Sequence, residues 1–130
     1  PIVVRRENPR EDFQAVMSKG KELLAGGTSV IIFPQSTRAP EFIPSEFNTL
    51  GIKLAKAAGV QVVPVALKTD FWRNGKYLKE LGPLDRTKPI HFAFGHPFPI
   101  IGNGKDEHRR VVDFIVSNLQ EWGAAVGKQE

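Results

Sequence analysis

The sequence predicts an α/β fold in which a mostly parallel sheet of about four strands is covered by three helices. Four apolar runs alternate with segments of helical periodicity, and this alternation is typical of parallel sheets. The runs are apolar throughout, as expected for strands that are covered on both faces. The strands are predicted at residues 2–4, 30–33, 60–67 and 91–94. The length of 130 residues suits a single domain.

The first helix has a clear beginning and end. Asn8 is a good N-cap, Pro9 suits the first helical position, and Glu11 lies three residues after the cap. The helix should end at Gly26 and Gly27, because a left-handed cap favours glycine. Its apolar face is predicted to contain Phe13, Val16, Met17 and Leu24.

The second and third helices are predicted from the spacing of their apolar and capping residues. Asn48 is predicted to cap a short helix that Gly59 closes, and the terminal helix is predicted over residues 106–122. Pro64 within the third strand indicates a bulge or an edge position. Residues 34–45 and 70–89 have no clear period and are predicted to be irregular. The inward side chains of the terminal helix are predicted to be Val111, Ile115, Leu119 and Trp122.

The composition favours anionic partners without choosing among them. The formal net charge is +4 and the sequence pI is about 9.6, which suits nucleic acid, phospholipid surfaces or phosphorylated small molecules. The chain has no cysteine, so disulfides and Cys-ligated metal sites are excluded. No apolar run approaches the roughly 18 residues of a membrane span, and no metal-ligand spacing is present.

Cationic and hydroxyl side chains follow three of the predicted strands. Arg6 follows the first strand, Thr37 and Arg38 follow the second, and Lys68 follows the third. Because ligands of parallel sheets bind beyond the carboxyl ends of the strands, these side chains could together bind a phosphate. The spacing alone favours the alternative that they are solvated charges at the beginnings of loops, since exposed arginines are the rule.

Residues 33–38 read Phe-Pro-Gln-Ser-Thr-Arg and resemble the Phe-Pro-Glu-Gly-Thr-Arg block of the glycerolphosphate and 1-acylglycerol-3-phosphate acyltransferases. The family has an arginine-ended strand upstream, matched by residues 2–6, and a phenylalanine downstream, matched by Phe47. A Val-Pro-Val strand follows, matched by residues 63–65. The chain departs from the family at Gln35 and Ser36, where glutamate and glycine are usual, and this leaves the acceptor's identity open.

The resemblance implies a role in phospholipid biosynthesis, for a chain that is the C-terminal portion of an acyltransferase domain. Such enzymes transfer a fatty acyl group from acyl-CoA or acyl carrier protein to the hydroxyl of a lysophospholipid, and they use no further cofactor. They work at the cytoplasmic face of a membrane, peripherally or through an anchor, which here would lie outside this chain. The residues that the resemblance assigns to the acceptor phosphate are Arg6, Gln35, Ser36, Thr37 and Arg38. The oligomeric state is left open.

The catalytic residues of the family are expected upstream of this chain. A His-x-x-x-x-Asp block supplies the general base and the aspartate that orients it, and in the family it precedes the arginine-ended strand with which this chain begins. We therefore expect further sequence before Pro1 and no acyl transfer by this chain alone. His108 and Asp113 match the spacing, but they lie in the terminal helix, where five residues place them off a shared face.

Other functions and sites compete with this interpretation. A non-catalytic module that binds phosphate or anionic lipid is the principal alternative. Nucleic-acid binding is disfavoured, because the basic residues are dispersed. His91 and His96 are predicted to be ordinary strand or surface histidines. The aromatic group of Phe71, Trp72 and Tyr77 is compatible with a membrane contact, but packing of the loop against the sheet is the commoner arrangement.

Overall fold

The computed structural model describes residues 2, 8–35, 41–69 and 82–127, and these contain three helices and two small sheets. The helices are α1 (Pro9–Ala25), α2 (Leu50–Ala58) and α3 (Lys105–Glu121), with a short 3-10 helix at Pro44–Glu46. The strands are β1 (Glu41–Phe42), β2 (Val65–Lys68), β3 (His91–Phe94) and β4 (Ala125–Val126). The mixed α/β class and the three helices agree with the prediction.

Helix α1 begins and ends where its caps predict. The Asn8 Oδ1 atom accepts hydrogen bonds from the backbone N–H groups of Arg10 at 3.1 Å and Glu11 at 3.5 Å. The Asn8 amide also donates to the Glu11 carboxylate at 2.8 Å. At the other end, Gly26 is the C-cap and Gly27 has a φ of 78°. Local hydrogen bonding therefore sets both boundaries of this helix.

Helices α1 and α2 pack together through a glycine. Gly20 is the buried residue of α1, and it lies against the side chain of Leu54, which is 2% exposed. Val16, Met17 and Leu24 on the predicted apolar face are half-buried, whereas Phe13 is exposed. The contact between the two helices therefore includes the Leu54 side chain lying close to the backbone of α1 at Gly20.

Helix α2 shows a small correction at its beginning. Thr49 is the N-cap and makes no capping bond with its side chain, but the Asn48 Oδ1 atom accepts from the N–H of Leu50 at 3.0 Å. Asn48 thus serves the first turn from one position earlier than a standard cap. The end is as predicted, since Gly59 has a φ of 66°.

Helix α3 supplies much of the hydrophobic core. It begins one residue before the predicted position, and Val111, Ile115 and Leu119 are buried as predicted. Trp122 is the C-cap, and its ring is only half-buried. The core also contains Phe42, Ile52, Ala66, Phe98 and Val112.

The prediction of one mostly parallel sheet is wrong for the described residues. Strands β1 and β4 form a parallel pair in which Glu41 lies opposite Ala125. Strands β2 and β3 form an antiparallel pair in which Val65 lies opposite Phe94. Continuous apolar runs predicted strands covered on both faces, but the β2–β3 pair contacts α3 and leaves Val65, Phe92 and Phe94 exposed on the other face. One-sided burial is characteristic of antiparallel pairs.

The second predicted strand is also absent. Residues 30–33 have no regular secondary structure, and the side chains of Ile31 and Phe33 are 80% and 76% exposed. Apolar composition predicted burial, but a strand also requires a neighbouring strand for its backbone groups. No such partner lies within the described ranges. Of the first predicted strand, only Ile2 is described, and it has no regular structure.

The third and fourth predicted strands are present. The third is shorter than predicted, but an isolated bridge between Val62 and Phe98 continues its pairing. Between the bridge and β2, the Pro64 carbonyl accepts from the N–H of Gly95 at 2.9 Å. The local irregularity at Pro64 therefore agrees with the prediction. Strand β3 matches its predicted bounds, and residues 82–90 are irregular as predicted, while residues 70–81 lie outside the described part.

Candidate functional site

One of the five predicted phosphate-binding residues lies in the described part of the chain. Gln35 is exposed and follows Pro34 in an irregular segment. Arg6 and residues 36–38 lie outside the described residues, as do Phe71, Trp72 and Tyr77. Of this candidate site, the structure describes Gln35 and the segment that leads to it.

This segment is anchored to the beginning of α2. The backbone N–H and the side-chain amide of Asn48 both donate to the Pro34 carbonyl, at 3.4 and 2.6 Å. The same side chain accepts from Leu50 within the first turn of the helix. Gln35 therefore leaves from a fixed point beside the N-terminal end of α2, where the helix dipole favours negative charge.

Sequence reasoning missed this second role of Asn48. Its position before a helical pattern predicted a cap, and the contact with Leu50 is of that kind. Nothing in the local sequence predicted the bond to Pro34, because the two residues are separated by 14 positions. Only the tertiary fold shows that one side chain joins the candidate loop to the helix.

The Lys68 side chain makes a hydrogen bond within the fold. Its Nζ atom donates to the backbone carbonyl of Trp122 at 2.8 Å, at the C-terminal end of α3. A cation at this position compensates the negative end of the helix dipole. His91 lies opposite Lys68 in the sheet and stacks on the Trp122 ring with centroids 5.1 Å apart. Lys68 thus has a structural role, and His91 is a packed strand histidine as predicted.

The environment of His108 argues against a role as catalytic base. Its ring lies 5.8 Å from that of Phe47, and its Nδ1 atom is buried without a hydrogen-bond partner in the described residues. Asp113 is exposed on the same helix. A catalytic histidine requires a group that orients its ring, and Asp113 does not bond to Nδ1.

Burial lowers the pKa of the His108 imidazole below its ordinary value of 6.5. The unfolded chain should therefore bind more protons than the folded chain as the pH falls below 6.5, and stability should decrease there. We expect the free energy of unfolding of the wild type to fall more steeply between about pH 7.5 and about pH 5.5 than that of His108→Gln. Urea unfolding at each pH measures this difference, and parallel curves would contradict it.

A partly open cleft lies between the β2–β3 region and α3. Its volume is about 330 Å³. It is lined by Pro64, Phe94, Gly95, His96, Phe98, Arg110 and Phe114. Sequence analysis identified none of these residues as a site, except that it considered and set aside His96. The sequence could not predict this cleft, because its lining residues come from three separate segments of the chain.

A curated relative supports the resemblance seen in the sequence. The chain is 32% identical over 85 residues to a 1-acyl-sn-glycerol-3-phosphate acyltransferase of Pseudomonas aeruginosa. The match covers 65% of this chain and 33% of that protein, so the chain spans about a third of its relative's length. No family model and no solved structure matches the chain.

None of the helices in the described residues is both long and apolar enough to span a membrane. Within the same residues, no group of three or more His, Asp or Glu side chains is arranged to hold a metal ion. The similarity in sequence is therefore the finding that bears on function: the chain is distantly similar to a 1-acyl-sn-glycerol-3-phosphate acyltransferase.

Proposed function

We propose that this chain is part of an acyltransferase and binds the phosphate of the acceptor lipid. The whole protein would move a fatty acyl group from acyl-CoA or acyl carrier protein to the hydroxyl of a lysophospholipid such as 1-acylglycerol-3-phosphate. It would act at the cytoplasmic face of a membrane. The observation that carries the proposal is the 32% identity over 85 residues to an acyltransferase with this acceptor in its name.

The proposed site divides into two kinds of residue. Arg6, Thr37 and Arg38 bind the phosphate, because a guanidinium can donate to two phosphate oxygens at once and a hydroxyl can donate to a third. Gln35 and Ser36 shape the loop. Glutamine removes the negative charge that the family places near its arginines, and serine adds a side chain where glycine is usual.

The anchored entry to the loop supports this arrangement. Asn48 holds the Pro34 carbonyl at 2.6 Å through its side chain and at 3.4 Å through its backbone. Two donors on one carbonyl limit the directions in which Gln35 can leave. A preorganised loop loses less conformational entropy when it binds a ligand. Asn48 is therefore a positioning residue in this proposal.

In the whole protein, Arg38→Ala should raise the acceptor KM or lower turnover by about tenfold or more, because one charge-assisted contact is worth roughly 1.5–3 kcal/mol. Steady-state rates with lysophosphatidate and an acyl thioester measure this effect. Arg86→Ala, which removes an exposed arginine from a turn, is the matched control and should leave the rates unchanged. Equal kinetics for Arg38→Ala and the wild type would refute the assignment.

A non-catalytic module that binds phosphate or anionic lipid is the second candidate. The environment of His108 fits this module as well as it fits the enzyme, because its buried Nδ1 atom has no partner in the described residues and no catalytic base is expected within this chain. A His-x-x-x-x-Asp block in the parent reading frame, a few tens of residues before Ile2, would favour the enzyme. Its absence would favour the module. Acyl transfer by residues 1–130 alone would contradict both accounts of this chain.

A further inference from the structure

The chain leaves the proposed phosphate loop through strand β1, and the C-terminal strand β4 holds β1 in place. The two strands pair in parallel, so that Glu41 lies opposite Ala125 and Phe42 lies opposite Val126. The N–H of Gly127 donates to the Phe42 carbonyl at 2.8 Å. The first residues after the loop are therefore bound through their backbone to residues more than 80 positions later in the chain.

Side chains reinforce this contact. Phe42 is 6% exposed and belongs to the hydrophobic core, and Val126 packs against the same cluster. Gly127 lies close to β1, because a Cβ atom there would be 3.3 Å from Glu41 Oε1 and 3.5 Å from Ile43 Cγ1. Strand β1 is thus fixed both by the backbone of β4 and by packing.

Strand β4 is itself attached to the body of the fold. The N–H of Ala124, directly before β4, donates to the Leu119 carbonyl at 2.8 Å, at the end of α3. The Trp122 carbonyl accepts from Lys68 Nζ of β2, also at 2.8 Å. Strand β4 therefore begins from a position that α3 and the β2–β3 pair determine together.

The acceptor loop, which we define as residues 35–40, consequently has two fixed ends. Asn48 holds the Pro34 carbonyl at the entry, and β4 holds Glu41 and Phe42 at the exit. Six residues join these points, whereas without β4 the next anchor would be Asn48 and the free span would be the thirteen residues 35–47. A shorter span between fixed ends leaves less conformational entropy to lose on binding.

We propose that β4 positions the acceptor loop and thereby sets the affinity for the phosphate of the acceptor. Val126 and Gly127 are positioning residues in this arrangement, since they act through Glu41 and Phe42 rather than on the ligand. The inference rests on the proposed function, which assigns the phosphate to this loop.

The test is a calorimetric titration of the 130-residue chain with 1-hexanoylglycerol-3-phosphate below its critical micelle concentration. Binding is the suitable measurement, because the phosphate site belongs to the enzyme and to the non-catalytic module alike. Deletion of residues 125–130 removes β4. The entropy cost of closing a loop grows with about the three-halves power of its length, so a span of thirteen residues in place of six should weaken binding about threefold.

The matched control for the deletion is a shorter one. Residues 125–130 contain one lysine and one glutamate, so their removal leaves the formal net charge at +4. Deletion of residues 128–130 removes the same two charges but retains β4. This variant should bind the probe with the affinity of the wild type.

Two substitutions at Gly127 test the backbone contact without shortening the chain, and they keep the test decisive if the longer deletion does not fold. Gly127→Pro removes the N–H that bonds to Phe42 and places a ring against that carbonyl, so it should also weaken binding about threefold. Gly127→Ala keeps the N–H, and its Cβ atom approaches most closely the carboxylate of Glu41, an exposed residue. It should retain the affinity of the wild type.

Arg38→Ala separates this inference from the proposed function. If the wild type does not bind the probe, or if Arg38→Ala binds it equally well, the proposed function and this inference both fail. If Arg38→Ala loses affinity while Gly127→Pro and the deletion of residues 125–130 do not, the positioning role of β4 alone is overturned. Equal losses for Gly127→Pro and Gly127→Ala would also overturn it, because only the first removes the hydrogen bond to Phe42.

Discussion

Replacing Gly104 with alanine should lower the free energy of unfolding by about 2–4 kcal/mol, which combines backbone strain and overpacking. Gly104 has a φ of 82°, in the left-handed region that residues with a Cβ atom rarely adopt. It is also buried, and a Cβ atom there would lie 2.6 Å from Ile52 Cγ2 and 3.4 Å from Ile100 Cγ2. The substitution therefore meets two separate penalties at one position.

The neighbours of Gly104 have little freedom to move. Ile52 is 7% exposed and belongs to the main core cluster, so it cannot turn into solvent. The carbonyl of Gly104 accepts from the N–H of His108 at 3.0 Å in the first turn of α3. A shift of this backbone would disturb the start of the helix that carries Val111 and Ile115.

The matched control for this prediction is Gly102→Ala. Gly102 has a φ of 68°, but a Cβ atom there would meet nothing within 4 Å. Its substitution should cost only the strain, roughly 1 kcal/mol. Urea unfolding of both variants measures the difference, which isolates the collision with Ile52. Losses of equal size would show that the core absorbs the additional methyl group.

The helices were predictable because their signals are local. Asn8 accepts from the two N–H groups that an N-cap should satisfy, and Gly59 has the positive φ that its position predicted. Helical periodicity likewise placed Ile115 and Leu119 on the buried face of α3. Each of these inferences requires information from within about one or two turns of the chain.

Strand partners were not predictable in the same way. Residues 60–67 and 91–94 were both predicted as strands, but nothing in either run determines whether they pair in parallel or antiparallel. The exposed run at residues 30–33 shows the same limit, since apolar residues alone do not provide a hydrogen-bonding neighbour. The two-residue strands β1 and β4 have no local pattern at all.

The candidate sites differ in the same way: some features are local in sequence, and others join distant segments. A contiguous motif made residues 33–38 recognisable in the sequence. The anchor between Asn48 and Pro34, and the cation–π contact of Arg110 with Phe98, join residues from separate segments. Only the folded chain brings these groups together, so no spacing rule could have predicted them.

Leu54→Ala should lower the free energy of unfolding by about 2–5 kcal/mol, as is usual when a large buried side chain is truncated to alanine. Leu54 is 2% exposed and is the largest fully buried side chain in the described residues. Its Cδ atoms lie against Gly20 of α1, where an added Cβ would be 2.6 and 3.0 Å away. Truncation therefore leaves a cavity beside the backbone of α1.

The same geometry predicts that Gly20 and Leu54 are coupled. In the wild type, Gly20→Ala gains about 1 kcal/mol of helix propensity but loses a similar or larger amount through its collision with Leu54. In the Leu54→Ala background the collision is removed and the new methyl group partly fills the cavity. Gly20→Ala should then stabilise the protein by about 1 kcal/mol or more.

Four proteins measure this coupling in a double-mutant cycle by urea unfolding. Gly51→Ala is the matched control, because its Cβ would meet only Ile32 Cδ1 at 3.9 Å and so gains propensity without a collision. Its effect should be the same with Leu54 or with alanine at position 54. If the effect of Gly20→Ala were also the same with leucine or alanine at position 54, the close approach of α1 and α2 would not depend on having glycine at position 20. A coupling confined to Gly20 would instead show that this glycine sets the distance between the two helices.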